Sequence, residues 1–147
     1  MSIFSSFDIN ASGMTAQRYR MDIISQNVAN ANTTRTEDGT PYRRKIVTFE
    51  EKESQTPFSR VLNEARDNYS GKGVKVGGVY EDTKTDFIKT YDPSHPDADE
   101  DGYVWYPNVN IVTEMTNMID ASRAYEANAT AFNASKTIAL KGLEMAN

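Results

Sequence analysis

Between Asn108 and Lys141 the chain has neither proline nor glycine, and eight alanines fall between positions 121 and 146. A run free of helix breakers and rich in the strongest helix former predicts one continuous helix. Starting at Ile111, alternating steps of four and three residues give Met115, Met118, Ser122, Tyr125, Ala129, Phe132, Lys136, Ala139 and Leu143, an apolar stripe with two polar interruptions. A second column, Ala124, Ala131, Ile138 and Met145, repeats every seven residues on another side, so two sides of this helix need covering. Pro107 precedes the run, Asn108 or Asn110 can cap it, and Glu114 suits the positive end of the helix dipole. At 1.5 Å per residue, about 38 residues extend about 57 Å, longer than a compact domain of this size is wide.

Residues 1–34 predict a second helix. They hold no proline and only Asp8, Arg18, Arg20 and Asp22 as charges, a low charge density for a solvated surface. Phe7, Met14, Met21 and Val28 recur every seven residues, Ile3, Ile24 and Ala31 take the interleaved positions, and Asn10 and Gln17 are polar exceptions. Gly13 should cost about 1 kcal/mol relative to alanine in a helix interior, so it marks either a break or a close backbone approach. The stretch Asn30 to Gly39 then ends the helix.

The middle of the chain lacks helical periodicity. Tyr42–Glu50 and Gly73–Tyr80 carry β-branched and aromatic residues between turn signals and predict strands, with Asp86–Tyr91 as a third. Residues 51–70 read as a loop or short helix. Residues 92–107, with Pro93, Pro96, Gly102 and Pro107, predict an extended connector. The expected fold class is α+β: long N- and C-terminal helices (1–34 with 108–147) forming a coiled-coil-like domain, and a small β-rich region over 35–107.

Composition narrows the chemistry. With 16 Lys and Arg against 21 Asp and Glu, the net charge of -5 has the wrong sign for neutralising nucleic-acid phosphates. No cysteine is present and there is one histidine, which removes disulfides, thiolate metal sites and cysteine nucleophiles. The chain shows no basic start followed by an apolar run and no 18-residue apolar stretch, so neither a cleaved signal nor a membrane span is expected. A small β region cannot cover two apolar helices. They must pair with each other, be covered by other subunits, or both, and their ends should gain order on binding.

The run Ser25-Gln26-Asn27-Val28-Ala29-Asn30-Ala31-Asn32-Thr33 resembles the SxNxANxxT signature of the bacterial flagellar axial proteins, the rod, hook and hook-associated subunits. Glu114-Met115, followed by Ser122-Arg123-Ala124-Tyr125-Glu126-Ala127-Asn128, resembles their second signature, at the opposite end of the chain. Thr40 to Lys45, Tyr91 to Asp99 and Pro107 to Asn110 are similar to the proximal rod branch; Arg35 to Gly39 intervenes where hook and distal rod subunits have a Gly-Tyr pair. The resemblance covers residues 1–49 and 72–147. It implies a structural subunit of the periplasm-spanning rod of the flagellar basal body, the drive shaft between motor and hook. It also implies export through the flagellar type III apparatus, and partners among copies of itself, other rod proteins and the rod-base adaptor protein.

On that reading the subunit interface draws on Phe7, Met14, Met21, Ile24 and Val28 of the first helix. Met115, Met118, Tyr125, Ala129, Phe132, Ala139 and Leu143 of the second complete it. Asn27, Asn30, Asn32 and Asn128 carry amides that are costly to bury unpaired, so they should bond backbone or side chains between helices. Arg123 is either a cross-interface ion pair or a solvated charge. No catalytic, cofactor-binding or metal-ligating residue is assigned.

Three rival readings remain. Asp97-Ala98-Asp99-Glu100-Asp101-Gly102 fits the opening of a calcium loop, but its twelfth position is Asn108 and prolines precede it. The same carboxylates could serve a hydrolase, yet a Pro-rich connector gives no apolar setting to separate their pKa values. A coiled-coil adaptor would flank its seam with Glu and Lys, where this chain has Ala, Asn, Ser and Thr.

Overall fold

The structure, a computed structural model, describes residues 3–52 and 72–145. The segment read as a loop or short helix lies outside the described residues from position 53 onward. Two long helices bracket the chain, α1 (Ile3–Ala29) and α2 (Ile111–Glu144). Between them lie the strands β1 (Lys45–Glu51), β2 (Val74–Glu81), β3 (Ile88–Tyr91) and β4 (Tyr103–Tyr106). The fold is α+β, with the β structure split into two two-stranded sheets.

Helix α1 runs unbroken through Gly13, and the reason for a glycine there is a close approach. A Cβ at this position would lie 2.7 Å from Asn128 Oδ1. After Ala29 the chain turns through Asn30, whose N–H donates to the Gln26 carbonyl at 3.1 Å, and reverses at Gly39, which has φ 76°. Helix α2 begins on Asn110. Its side-chain Oδ1 accepts from the Thr113 N–H at 3.1 Å, an N-cap that satisfies one otherwise orphaned donor, and its carbonyl takes the first intrahelical bond from the Glu114 N–H at 2.9 Å.

Strands β1 and β2 pair antiparallel, since the Asp82 N–H reaches the Arg44 carbonyl at one end and the Lys52 N–H the Gly73 carbonyl at the other. Strands β3 and β4 pair antiparallel with Ile88 opposite Tyr106 and Tyr91 opposite Tyr103. Strand β4 falls inside the stretch expected to be an extended connector. The four residues between Gly102 and Pro107 are Tyr-Val-Trp-Tyr, which alternate faces and bury Val104. Asp99 makes the reversal: its Oδ1 accepts from the N–H groups of Asp101 and Tyr103, and Gly102 sits at φ 79°.

The chain forms two compact units, each drawing on both helices and on β1 and β2. One consists of the described residues within Met1–Tyr19, Phe49–Gly77 and Ala121–Asn147. It packs the Phe7 and Phe132 rings edge to face at 4.9 Å, buries Ala16 and Ala121, and ties Ser12 to strand β2 through the Val74 N–H at 3.0 Å. The other consists of Arg20–Thr48 and Gly78–Asp120. Its core holds Ile23, Ile24, Ala31, Val104, Pro107 and Val109 around a buried polar cluster.

Candidate functional site

The polar cluster of the second unit grows from one amide. Asn27 lies in the last turns of α1 and is buried, and all four of its side-chain hydrogen-bonding positions are used. Its Nδ2 donates to the Lys45 carbonyl and to Glu114 Oε2, both at 2.9 Å, while its Oδ1 accepts from the Tyr42 hydroxyl and the Lys45 N–H, again both at 2.9 Å. Glu114 is 1% exposed. It enters the cluster because the Asn110 cap starts the helix so that its fourth residue turns inward.

The buried carboxylate has a cation. Arg44 Nε and Nη2 donate to Glu114 Oε1 at 2.9 and 2.7 Å, so the charge is paired and hydrogen-bonded, as burial requires. A further Arg44 nitrogen lies 3.8 Å from Asp82, a looser contact. Asn108 closes the cluster. Its Oδ1 accepts from the Arg44 N–H at 2.9 Å, and its Nδ2 donates to the carbonyls of Asp82 and Thr85 at 2.9 and 3.1 Å. Side chains from α1, the start of β1, the loop after β2 and the start of α2 are thereby held in one arrangement.

Burial, reinforced by the negative charges of Glu81 and Glu114, pushes the Tyr42 phenol above its ordinary value. The Asp82 carboxyl is held below its ordinary value, first by the Thr85 hydroxyl, against a smaller opposing effect of burial. Asp92 is lowered in the same way, by the Ser94 hydroxyl. Tyr42 is bonded to Asn27, Asp82 to Thr85 and Asp92 to Ser94.

The residues expected at an interface divide by position. Ile24 is buried; Phe7, Met14, Met21, Val28, Met118, Ala129, Phe132 and Ala139 are half-buried. Met115 is 58% and Leu143 66% exposed, and Tyr125 stands at the surface. Residues Glu114, Ala121, Asn128 and Ser135 form the inward column of α2, offset from the stripe that starts at Ile111. Ile111, Val112, Met115 and Ile119 accordingly face outward over the first turns, and Ile138, Leu140, Leu143 and Met145 over the last.

The amides behave differently from one another. Asn27 joins α1 to Glu114 on α2 and to the backbone of β1. Asn30 bonds locally, donating to the Gln26 carbonyl and accepting from the Thr33 hydroxyl, and Asn128 donates to the Ala124 carbonyl of its own helix at 2.7 Å. Asn32 and Arg123 are exposed. Gln17 places a buried Oε1 with no hydrogen-bond donor among the described residues.

Sequence reasoning assigned none of Tyr42, Arg44, Asn108 and Glu114 to a site: Asn108 was read as a possible cap, and Glu114 as a dipole partner and part of the second signature. The available signal was the Arg43-Arg44-Lys45 run entering a strand, a cationic start that a buried carboxylate elsewhere could answer. The acidic stretch proposed as a calcium loop is used internally. Asp97 accepts from the Thr34 hydroxyl at 2.8 Å and lies 3.8 Å from Arg35, and Asp99 caps the turn into β4. The ring of His95 accepts from the Asp97 N–H at Nδ1 and packs against Tyr106.

Residues 7–35 match the family described as flagella basal body rod protein, and residues 100–145 the C-terminal family of the flagellar basal body rod FlgEFG proteins. Over longer stretches the chain is 46% identical to the flagellar basal-body rod protein FlgC of Borreliella burgdorferi, covering 94% of this chain and 93% of that protein. It is 44% identical to FlgC of Bacillus subtilis, covering 99% of each, and 39% identical to FlgC of Escherichia coli O157:H7, covering 99% of this chain and 98% of the relative.

Proposed function

This chain belongs to the FlgC family of flagellar basal-body rod proteins and is a structural subunit of that rod; from that premise we propose that it carries torque through lateral packing of α1 and α2. The neighbours in this reading are copies of itself and other rod proteins, with the rod-base adaptor protein below and the flagellar type III apparatus as the route of delivery. The observation that carries it is the set of apolar side chains that α2 leaves exposed. Val112, Met115 and Ile119 near its start, and Ile138, Leu140, Leu143 and Met145 near its end, stay exposed although the same helix buries Glu114 and Ala121.

Val112, Met115 and Ile119 share one side of the first turns, while at the end Leu140 and Leu143 lie on one side and Ile138 and Met145 on another; exposed apolar side chains grouped in this way mark surfaces meant for other proteins. Each Leu, Met or Ile fully buried by a neighbour contributes about 1.5–3 kcal/mol, so several such contacts per subunit make a shaft that resists shear. The polar cluster serves the same end from within. Asn27, Arg44, Asn108 and Glu114 lock the end of α1 against the start of α2, so load entering one helix passes to the other without a hinge. Load transfer needs no reacting group.

Deleting the gene and examining basal bodies by electron microscopy tests this. The expected result is membrane rings without a rod and non-motile cells, both restored by the intact gene and not by Met115→Asp. Complete rods and normal swimming in the deletion strain would overturn the reading.

A further inference from the structure

Within the unit formed by Arg20–Thr48 and Gly78–Asp120 an open cleft lies between α1, β1 and the start of α2. Ile23, Ile24, Ile46 and Val47 line it beside the Arg44–Glu114 pair and Asn117, and Arg20 and Lys45 add two further cations to the lining. Arg44 on one side is committed to Glu114. Arg20 and Lys45 face no carboxylate within ion-pair distance among the described residues. Ile46 is 38% exposed, so the apolar wall reaches the surface. The cleft thus joins aliphatic side chains to two cations without a carboxylate partner among the described residues, Lys45 lying over the Tyr42 ring at 5.8 Å, on a protein whose net charge is negative.

A chemically complementary group of side chains occurs on this same chain. In the last turns of α2, Leu140, Leu143 and Glu144 are exposed and share one side of the helix by their spacing of three and four residues. They combine two aliphatic side chains with one carboxylate. Resting on the reading of the chain as a self-assembling rod subunit, we propose that the cleft receives the end of α2 from a second copy. Leu140 and Leu143 would lie on the aliphatic wall and Glu144 would reach Arg20 and Lys45. Such a contact joins two different patches, so it propagates from copy to copy instead of closing a symmetric pair.

Charge complementarity selects the helix end over the start of α2, where Ile111, Val112 and Met115 are exposed but Glu114 is buried and already paired. Lys136, one turn earlier on the same side as Leu140, would remain outside the cleft.

The chain has no cysteine, so engineered thiols report alone. In a deletion strain carrying both an Ile46→Cys copy and a Leu143→Cys copy, mild oxidation of isolated basal bodies should yield a mixed disulfide dimer containing one of each. Arg20→Glu should lower its yield about fivefold by placing like charges together, and adding Glu144→Arg on the partner copy should restore it. Assembled rods without the mixed dimer would overturn this contact while leaving the rod assignment standing. Dimers of one variant with itself would replace it by a symmetric interface, and a disulfide to a different rod protein carrying an engineered thiol would replace the second copy. If the thiol variants assemble no rods, motility decides: Arg20→Glu and Glu144→Arg should each impair swimming and together recover it. A double variant as impaired as either single would overturn the proposal.

Discussion

Replacing Glu114 by alanine removes the one anion in the buried cluster. The substitution leaves the Arg44 guanidinium without its two bonds of 2.9 and 2.7 Å and the Asn27 amide without one of its acceptors. Breaking one half of a buried pair costs about 3–5 kcal/mol. The Arg44 side chain keeps 23% exposure and its looser contact with Asp82, which places the loss near the low end, about 3 kcal/mol. Trp105, the only tryptophan of the chain, sits on β4 in the same unit at 42% exposure, so its fluorescence reports the unfolding of that unit directly. With a urea slope of about 2 kcal/mol/M, the midpoint should fall by about 1.5 M. Glu114→Gln, which keeps an acceptor for Asn27 but not the charge, should lose about 2 kcal/mol. Combining Glu114→Leu with Arg44→Met should cost less than Glu114→Ala alone, since no guanidinium is left without its buried carboxylate and Asp82 keeps its bonds to Lys84 and Thr85. A midpoint for Glu114→Ala within about 0.3 M of the unsubstituted protein, at equal slope, would refute the account of the cluster as the lock between α1 and α2.

Gly13→Ala should destabilise the first unit despite the better helix propensity of alanine. Its Cβ would meet the Asn128 amide at 2.7 Å, and that amide is moored on the Ala124 carbonyl; adding Asn128→Ala should recover the loss, read as thermal midpoints. Tyr125→Asp should abolish motility with unchanged far-ultraviolet circular dichroism. Phe132→Asp should also lower stability by about 2–3 kcal/mol, because it removes the ring packed edge to face against Phe7. On acidification, the folded state should weaken as pH falls below 3.8, the ordinary carboxyl value, because the depressed groups Asp82 and Asp92 then take up protons that the unfolded chain binds more readily. On the alkaline side the sign reverses. The Tyr42 phenol is raised in the fold, so its contribution is in place below 10.0 and is lost as pH rises through the folded value, and Tyr42→Phe should flatten that limb of a stability profile.

The two helices were legible because their signals are local. An unbroken run without proline or glycine, an Asn cap and a seven-residue apolar repeat act within a few turns, and each element formed where those signals stood. The strand Tyr103–Tyr106 was hidden by its neighbours, since Pro93, Pro96 and Pro107 mask a four-residue aromatic alternation that only its pairing with Ile88–Tyr91 reveals. The two ends of the chain also carry the rod signatures in contiguous residues, which is why the family could be read before any fold was known.

What the linear order could not carry is the partnership of Asn27 with Glu114, 87 positions away, and of Arg44 with Glu114, 70 positions away. A carboxylate in the first turn of a helix looks the same in sequence whether it serves the dipole in water or neutralises a buried guanidinium. Which of these it does depends on how far the helix is rotated against its neighbours. Periodicity alone could say that α2 has more than one apolar side, but the side turned inward, Glu114, Ala121, Asn128 and Ser135, is chosen by small and hydrogen-bonding residues that allow close approach. The bulkier Met115, Ile119 and Leu143 are left outside, because a helix packs first along the face where its backbone comes nearest to its neighbours. Local chemistry determined the elements and the family; long-range packing decided which residues lock the subunit and which stay exposed.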